Sequence, residues 1–199
     1  EPAMSKDQFS KAINIGRQSA QRAKLCGAQL FICGEINTKN TISATAMTCA
    51  LLNISPEKLM RTDYNENKIQ IIQKALTLHR ETLKSPLEIL RRLGGFEIAA
   101  LTGSYLCCAH MGLPVLINSF TSSVAALTAA RLCPDAEQWF LFSGTAEEPG
   151  HKIIIEALDA RPLWNNILSE KNSTVVTIFS KDTSPENVYD KSKKKHNIV

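Results

Sequence analysis

The sequence predicts an α/β protein: a Rossmann-like parallel sheet flanked by helices, in three layers. Three observations lead there. Short, nearly continuous apolar runs recur along the chain: Ala28–Cys33 (AQLFIC), Pro114–Ile117 (PVLI) and Gln138–Phe142 (QWFLF). Runs of that length and continuity suit strands covered on both faces better than half-exposed antiparallel ones. Each run empties into a loop of small or polar residues, and each loop leads into helix-start chemistry. Strand–loop–helix units in series imply parallel strands joined by right-handed crossovers.

The elements follow in order. Ser5 caps a helix over Ser5–Leu25, whose apolar face is Phe9, Ala12, Ile13, Ile15, Ala20 and Ala23, and Gly27 stops it. The strand Ala28–Cys33 opens into the polar loop GEINTKNT, and Asn40 or Thr41 caps a small-residue helix from about Ile42 to Leu52. Ser55–Pro56–Glu57 starts a short helix, and Ile69, Ile72, Leu76 and Leu83 mark an amphipathic one from about Asn65 to Lys84. Ser85, Pro86 and Glu88 form a helix start with Glu88 placed for a capping box. Gly94–Gly95 breaks the chain before Phe96–Met111, a helix apolar enough to be buried. Pro114–Ile117 is the second strand and Asn118–Phe120 its exit. Thr121–Cys133 is then a helix capped by Thr121 or Ser122. Gln138–Phe142 is the third strand, SGTAEEPGH its exit loop, and His151–Leu158 the helix after it. Residues 1–180 read as one domain. From about Lys181 the chain is polar and rich in Lys, Ser and Asn, so 181–199 is expected to be a disordered tail.

Composition excludes several classes of function. With 44% hydrophobic and 21% charged residues over 199 positions, the chain is neither disordered nor fibrous. No apolar run reaches the roughly 20 residues that cross a bilayer, and no signal peptide opens the chain. The net charge of +4 owes much to Lys191, Lys193, Lys194 and Lys195 in the tail, so it implies neither nucleic-acid nor membrane binding. The six cysteines are scattered, with no CxxC pair, and are expected to be small buried thiols in a reducing cytoplasm. The start at Glu1 reads as a processed or truncated product.

In open parallel sheets, ligands lie outside the carboxyl ends of the strands, where helix N-termini favour anions. Three loops belong there: Gly34–Thr41, Asn118–Ser122 and Ser143–His151. Small, polar and acidic, they suit a phosphorylated or polyhydroxylated ligand, and they are expected to gather on one rim.

Longer motifs carry a resemblance. SPLEILRR, then LGGFEIAALTGSYLCCAHMGLPVLINSFTSSVAAL, then EEPGH, with GEINTKNT upstream and EPAMSKDQ at the start, resemble the nicotinate-nucleotide:dimethylbenzimidazole phosphoribosyltransferase family from about Glu1 to Pro162. That family carries GEMGIGNTT, LGGFEIAA, PVLVDGFISTAAAL and AEPGH. The resemblance implies a Rossmann-like fold, a cytoplasmic homodimer, and a place in cobalamin lower-ligand assembly. The implied reaction moves the 5-phosphoribosyl group of nicotinate mononucleotide to 5,6-dimethylbenzimidazole, giving α-ribazole 5′-phosphate and nicotinate. It uses small-molecule substrates and neither metal nor cofactor. It requires an anion cradle, groups that hold the ribose, and a base for the azole proton.

By resemblance, Glu35 is the loop carboxylate at the nucleotide and base site, and Lys68 the phosphate-neutralising lysine. Asn40 and Thr41 close the first loop. Glu148, Pro149, Gly150 and His151 match the third-loop motif. Asn37 and Lys39 replace small residues, and Lys39 offers a positive charge to phosphate. Asn118–Ser119 replaces Asp-Gly, Gly144 replaces a His beside Ser143, and Thr62–Asp63–Tyr64 falls where the family has a glycine-rich turn. The expected substrate-binding set is therefore Glu35, Asn37, Lys39, Asn40, Thr41, Lys68, Asn118, Ser143 and Glu148. No catalytic residue is assigned. The family's RLGEGTGA-like stretch, whose Glu is the proposed base, aligns with SEKNSTVV, which puts Asn172 there without a gap or Glu170 after a two-residue slip. The family's N-terminal portion, which helps form the benzimidazole pocket, has no counterpart before Glu1. A second reading is thus a nucleotide-binding or assembly homologue that has lost the base. His151 reads as a satisfied helix-start histidine, His79 and His110 as packing or surface residues, and Cys107 and Cys108 as core thiols.

Overall fold

A computed structural model describes residues 1–34, 41–59, 66–146, 148–163 and 167–168. Helix α1 (Lys6–Leu25) starts at a reciprocal capping box: Ser5 Oγ accepts from Gln8 N at 3.2 Å and Gln8 Oε1 from Ser5 N at 2.9 Å. Strand β1 is short, Phe31–Ile32. After it come α2 (Thr41–Leu52), a 3₁₀ turn (Pro56–Lys58) and α3 (Glu66–His79), which tightens into a second 3₁₀ turn (Arg80–Thr82). Helix α4 (Pro86–Leu93) is capped by Ser85, and Gly94–Gly95 separates it from α5 (Phe96–His110). Strand β2 (Val115–Ile117), α6 (Phe120–Leu132), a 3₁₀ helix (Pro134–Trp139), β3 (Phe140–Phe142), β4 (Thr145–Ala146), α7 (Pro149–Ala157) and β5 (Ile167–Leu168) complete the described order. The tail 181–199 lies outside the described residues.

Several boundaries differ from expectation for local reasons. Helix α6 begins at Phe120 and is capped by Ser119, not by Thr121 or Ser122. Ser119 is the extended residue (φ −141°, ψ 163°), and Ser122 at the third helical position returns the hydrogen bond usually made by Glu or Gln. Strand β3 starts at Phe140 because Pro134 initiates a 3₁₀ helix that consumes Gln138 and Trp139. The β3 exit loop contains β4, which pairs in parallel with β5. The Glu88 carboxylate does not complete a capping box. It receives Arg91 Nη2 at 2.8 Å and Arg92 Nε at 2.7 Å, while Arg91 Nη1 donates to the Met4 carbonyl. Cys49 and Cys108 are buried and pushed up to about 12 by that burial, but Cys26 and Cys133 are exposed, against the expectation of buried thiols.

The main sheet is parallel, in the order β1-β2-β3. Tyr105 of α5 packs its ring on Phe140 (centroids 5.9 Å apart), and His151 of α7 faces Phe142 at 6.5 Å. Val115, Ile117, Phe140 and Phe142 are buried on this helical side. Helix α6 runs through the middle of the helical layer, and nearly all of it is buried, flanked by α5, α2, α4 and α7. Helix α1 lies along α5, and glycines let the two backbones approach. A Cβ at Gly16 would overlap the Ala100 carbonyl oxygen, and one at Gly103 the Ile13 carbonyl oxygen. Most of α5 is buried as expected, but Phe96 at its first turn is 52% exposed.

Candidate active site at the carboxyl ends of the strands

Parallel strands in consecutive order bring their carboxyl ends to one edge, so the exits at Cys33–Gly34, Asn118 and Ser143 share a rim. The last two are tied together: Ser143 N donates to Ile117 O at 2.9 Å, and Leu163 N donates to Phe142 O at 2.8 Å on the far side. The helices that follow the strands (α2, α6 and α7) pack on one another with their first turns at this rim. At α6 and α7 the approach is close. A Cβ on Gly150 would stand 2.6 Å from Phe120 Cε2, so only glycine lets the third loop sit against the start of α6. Three helix N-termini therefore direct partial positive charge towards a shared edge.

The side chains there are mostly hydroxyls. Ser119 and Ser122 cap α6, and Ser123 Oγ donates to Ser119 O at 2.8 Å. Ser143 is 5% exposed, and its Oγ makes no hydrogen bond among the described residues. Glu148 occupies the N-cap position of α7 with extended backbone, and His151 N donates to Glu148 O at 2.9 Å. His151 is fully buried, and burial pushes its imidazole down to about 4, so it is neutral near pH 7 and no proton donor there. Beside Gly34 a cleft of about 350 Å³ opens between α1 and α5, with Ser19, Phe96 and Ser104 on its walls. Among the described residues no group of three His, Cys, Asp or Glu side chains is placed to hold a metal ion.

Of the expected binding residues, Thr41, Asn118, Ser143 and Glu148 stand at this edge: Thr41 as the first residue of α2, Asn118 directly after β2, Ser143 after β3 and Glu148 before α7. Lys68 is half-buried in the first turn of α3, a helix that leans on α2 and on the 3₁₀ turn Pro56–Lys58. Glu35, Asn37, Lys39 and Asn40 lie outside the described residues, as do Thr62–Asp63–Tyr64, Glu170 and Asn172. Ser122 and Ser123 are absent from the expected set. The SFTSS spacing, a Ser three residues before a Ser, is the signal that marks them.

The family model that matches residues 1–173 is described as phosphoribosyltransferase. A nicotinate-nucleotide–dimethylbenzimidazole phosphoribosyltransferase of Azotobacter vinelandii is 47% identical over 168 residues, 81% of this chain and 48% of the relative. The protein of the same name from Pseudomonas savastanoi pv. phaseolicola is 45% identical over the same shares. The chain thus spans about half the length of the curated relatives it matches. Among solved structures, CobT from Thermus thermophilus superposes with a TM-score of 0.76 at 34% identity, over 82% of this chain and 50% of that one. A second structure from that organism, of the nicotinate-nucleotide–dimethylbenzimidazole phosphoribosyltransferase, gives 0.75 at 32%, over 88% and 54%.

Proposed function

The chain belongs to the nicotinate-nucleotide–dimethylbenzimidazole phosphoribosyltransferase family, and from that membership we propose that it binds nicotinate mononucleotide and serves transfer of its 5-phosphoribosyl group to 5,6-dimethylbenzimidazole. In this reaction the bond from C1′ to the pyridinium nitrogen breaks, and nicotinate leaves with the electron pair. An azole nitrogen bonds to C1′, and the proton on the other azole nitrogen passes to a base. The products are α-ribazole 5′-phosphate and nicotinate.

One observation carries the proposal: the starts of α2, α6 and α7 meet at a single rim where the buried Ser143 Oγ has a hydrogen bond to give. Oriented N–H groups at helix starts favour a phosphate, and a hydroxyl at the edge suits a ribose oxygen or a carboxylate. Glu148 brings negative charge to the same edge, which suits ribose hydroxyls and opposes an anion, so the 5′-phosphate belongs nearer α2 and Lys68. His151 is fully buried, so its ring does not reach an azole proton and it is not taken as the base. A self-paired assembly acting on small molecules in the cytoplasm is part of the same reading.

Incubation of the protein with nicotinate mononucleotide and 5,6-dimethylbenzimidazole, followed by chromatography, tests it. Release of nicotinate together with α-ribazole 5′-phosphate is expected. Nucleotide binding by calorimetry without turnover would replace transfer with the reading of a nucleotide-binding homologue.

A further inference from the structure

The segment Glu1–Met4 is tied to the helical layer as a strap. The last carbonyls of a helix have no donor within it, and at the end of α4 the strap supplies two. Ala3 N donates to Arg92 O at 3.2 Å and Met4 N to Arg91 O at 3.1 Å. Arg91 Nη1 donates to Met4 O at 3.2 Å, and the Met4 side chain is only 1% exposed. At the other end of the strap, the His79 imidazole hydrogen-bonds to the backbone of Glu1. His79 is the last residue of α3 and is 7% exposed. One buried imidazole thus joins the strap to the helix whose first turn holds Lys68.

The surroundings of His79 suit it while it is neutral. Helix α4 brings Arg91 and Arg92 near it, and the strap brings the amino group of Glu1. Glu88, the carboxylate bound to both arginines, is fully engaged. Its Oε1 receives Arg91 Nε at 3.1 Å, and its Oε2 receives Arg91 Nη2 at 2.8 Å and Arg92 Nε at 2.7 Å. Arg80 and Glu81, which follow His79 in the chain, are exposed, as is Glu1. A proton on this imidazole would add a buried cation beside two others. Burial first, then Arg92, the Glu1 amino group and Arg91, accordingly push it below its ordinary 6.5. The smallest opening that hydrates an imidazolium here is displacement of the strap, since α3 and α4 keep their own hydrogen-bond ladders.

We propose that His79 is a proton-operated latch: protonation of its imidazole releases the Glu1–Met4 strap from the ends of α3 and α4 while the rest of the fold stays closed. Closure is complete above pH 6.5 and weakens as pH falls below it. For one proton the weakening is at most about tenfold per pH unit. A released strap leaves His79 in water, so its share in the pH dependence of global unfolding cannot exceed the strap's own closing free energy. The larger dependence remains with His151. Nothing in this latch depends on the proposed activity.

Amide hydrogen exchange of the whole protein, followed by NMR and corrected for intrinsic rates, tests it. Between about pH 7.5 and about pH 5, protection of the Ala3 and Met4 amides should fall by at least about threefold, while amides of α5 and α6 keep theirs. His79→Gln, which can still donate to the Glu1 backbone but binds no proton, should hold the strap's protection constant over that range. Strap protection that does not change with pH in the wild type overturns the proposal. An equal loss in His79→Gln also overturns it, as does a loss shared by α5 and α6, which would be global unfolding. If His79→Gln does not fold, the wild type decides. The titration midpoint of the His79 ring must coincide with that of the Ala3 and Met4 amide signals, and separate midpoints overturn the latch.

Discussion

The amide of Ser143 donates to the carbonyl of Ile117 at 2.9 Å, which locks the exit of β3 to the last residue of β2. The backbone makes that bond, so the Ser143 side chain is not needed for it. Its buried Oγ has no partner among the described residues, and an unmade hydrogen bond of this kind lowers stability. Ser143→Ala should therefore leave stability unchanged or raise it by up to about 1 kcal/mol in chemical denaturation. It should weaken nicotinate mononucleotide binding by about tenfold in calorimetry, the worth of one hydrogen bond. Loss of stability with unchanged affinity would assign the hydroxyl to the fold instead of the site.

Gly16 is a packing requirement, not a flexible point. It lies inside α1, where alanine would ordinarily gain about 1 kcal/mol in helix propensity. Here a methyl group would overlap the Ala100 carbonyl oxygen, which is backbone and cannot swing aside. Gly16→Ala should lower unfolding free energy by at least about 2 kcal/mol, read as a lower denaturant midpoint, because overpacking outweighs propensity.

Much of the fold is legible in the sequence because its signals are local. The Ser5 cap, the Ser85–Pro86 start and the Gly94–Gly95 break are each set by residues within one turn. The start of α6 is harder to place because Ser119, Thr121, Ser122 and Ser123 crowd four hydroxyls into five positions. Only the backbone angles of Ser119 distinguish the cap. The partial exposure of the Leu116–Leu141 side of the sheet is invisible for a different reason. Leu116 and Leu141 have the same chemistry whether a helix covers them or not, so an apolar run alone cannot report which face is filled. The site is legible as three strand exits, but the hydroxyls that line its α6 edge resemble ordinary turn residues until the helix start is located.

Glu88 anchors the N-terminal segment through Arg91, whose guanidinium it grips while the same group donates to the Met4 carbonyl at 3.2 Å. Hydrogen bonds from Arg91 and Arg92 hold its carboxyl down to about 2, against an ordinary 4.5. The depressed value means that the stabilisation is fully present above pH 4.5 and lost as pH falls towards 2. Glu88 keeps 35% of its side-chain surface open, so solvent screening limits the pair. Glu88→Gln should cost about 1 kcal/mol at pH 7, and its penalty should fade in unfolding experiments run near pH 2.

His151 makes the fold acid-sensitive in a higher window. Burial lowers its imidazole from 6.5 to about 4, so between those values the unfolded chain binds a proton that the folded chain refuses. Stability is therefore complete above pH 6.5, declines as pH falls, and stops declining below about 4. The whole loss is on the order of 3 kcal/mol at a full proton of difference. His151→Gln removes the titration and should flatten the pH dependence of unfolding between pH 6.5 and 4, whatever it does to stability at neutral pH. A slope that persists in this variant would place the acid-sensitive group elsewhere. The same neutrality bears on chemistry, since a buried imidazole that stays unprotonated well below neutral pH can hold the start of α7 but cannot supply a proton to a leaving group.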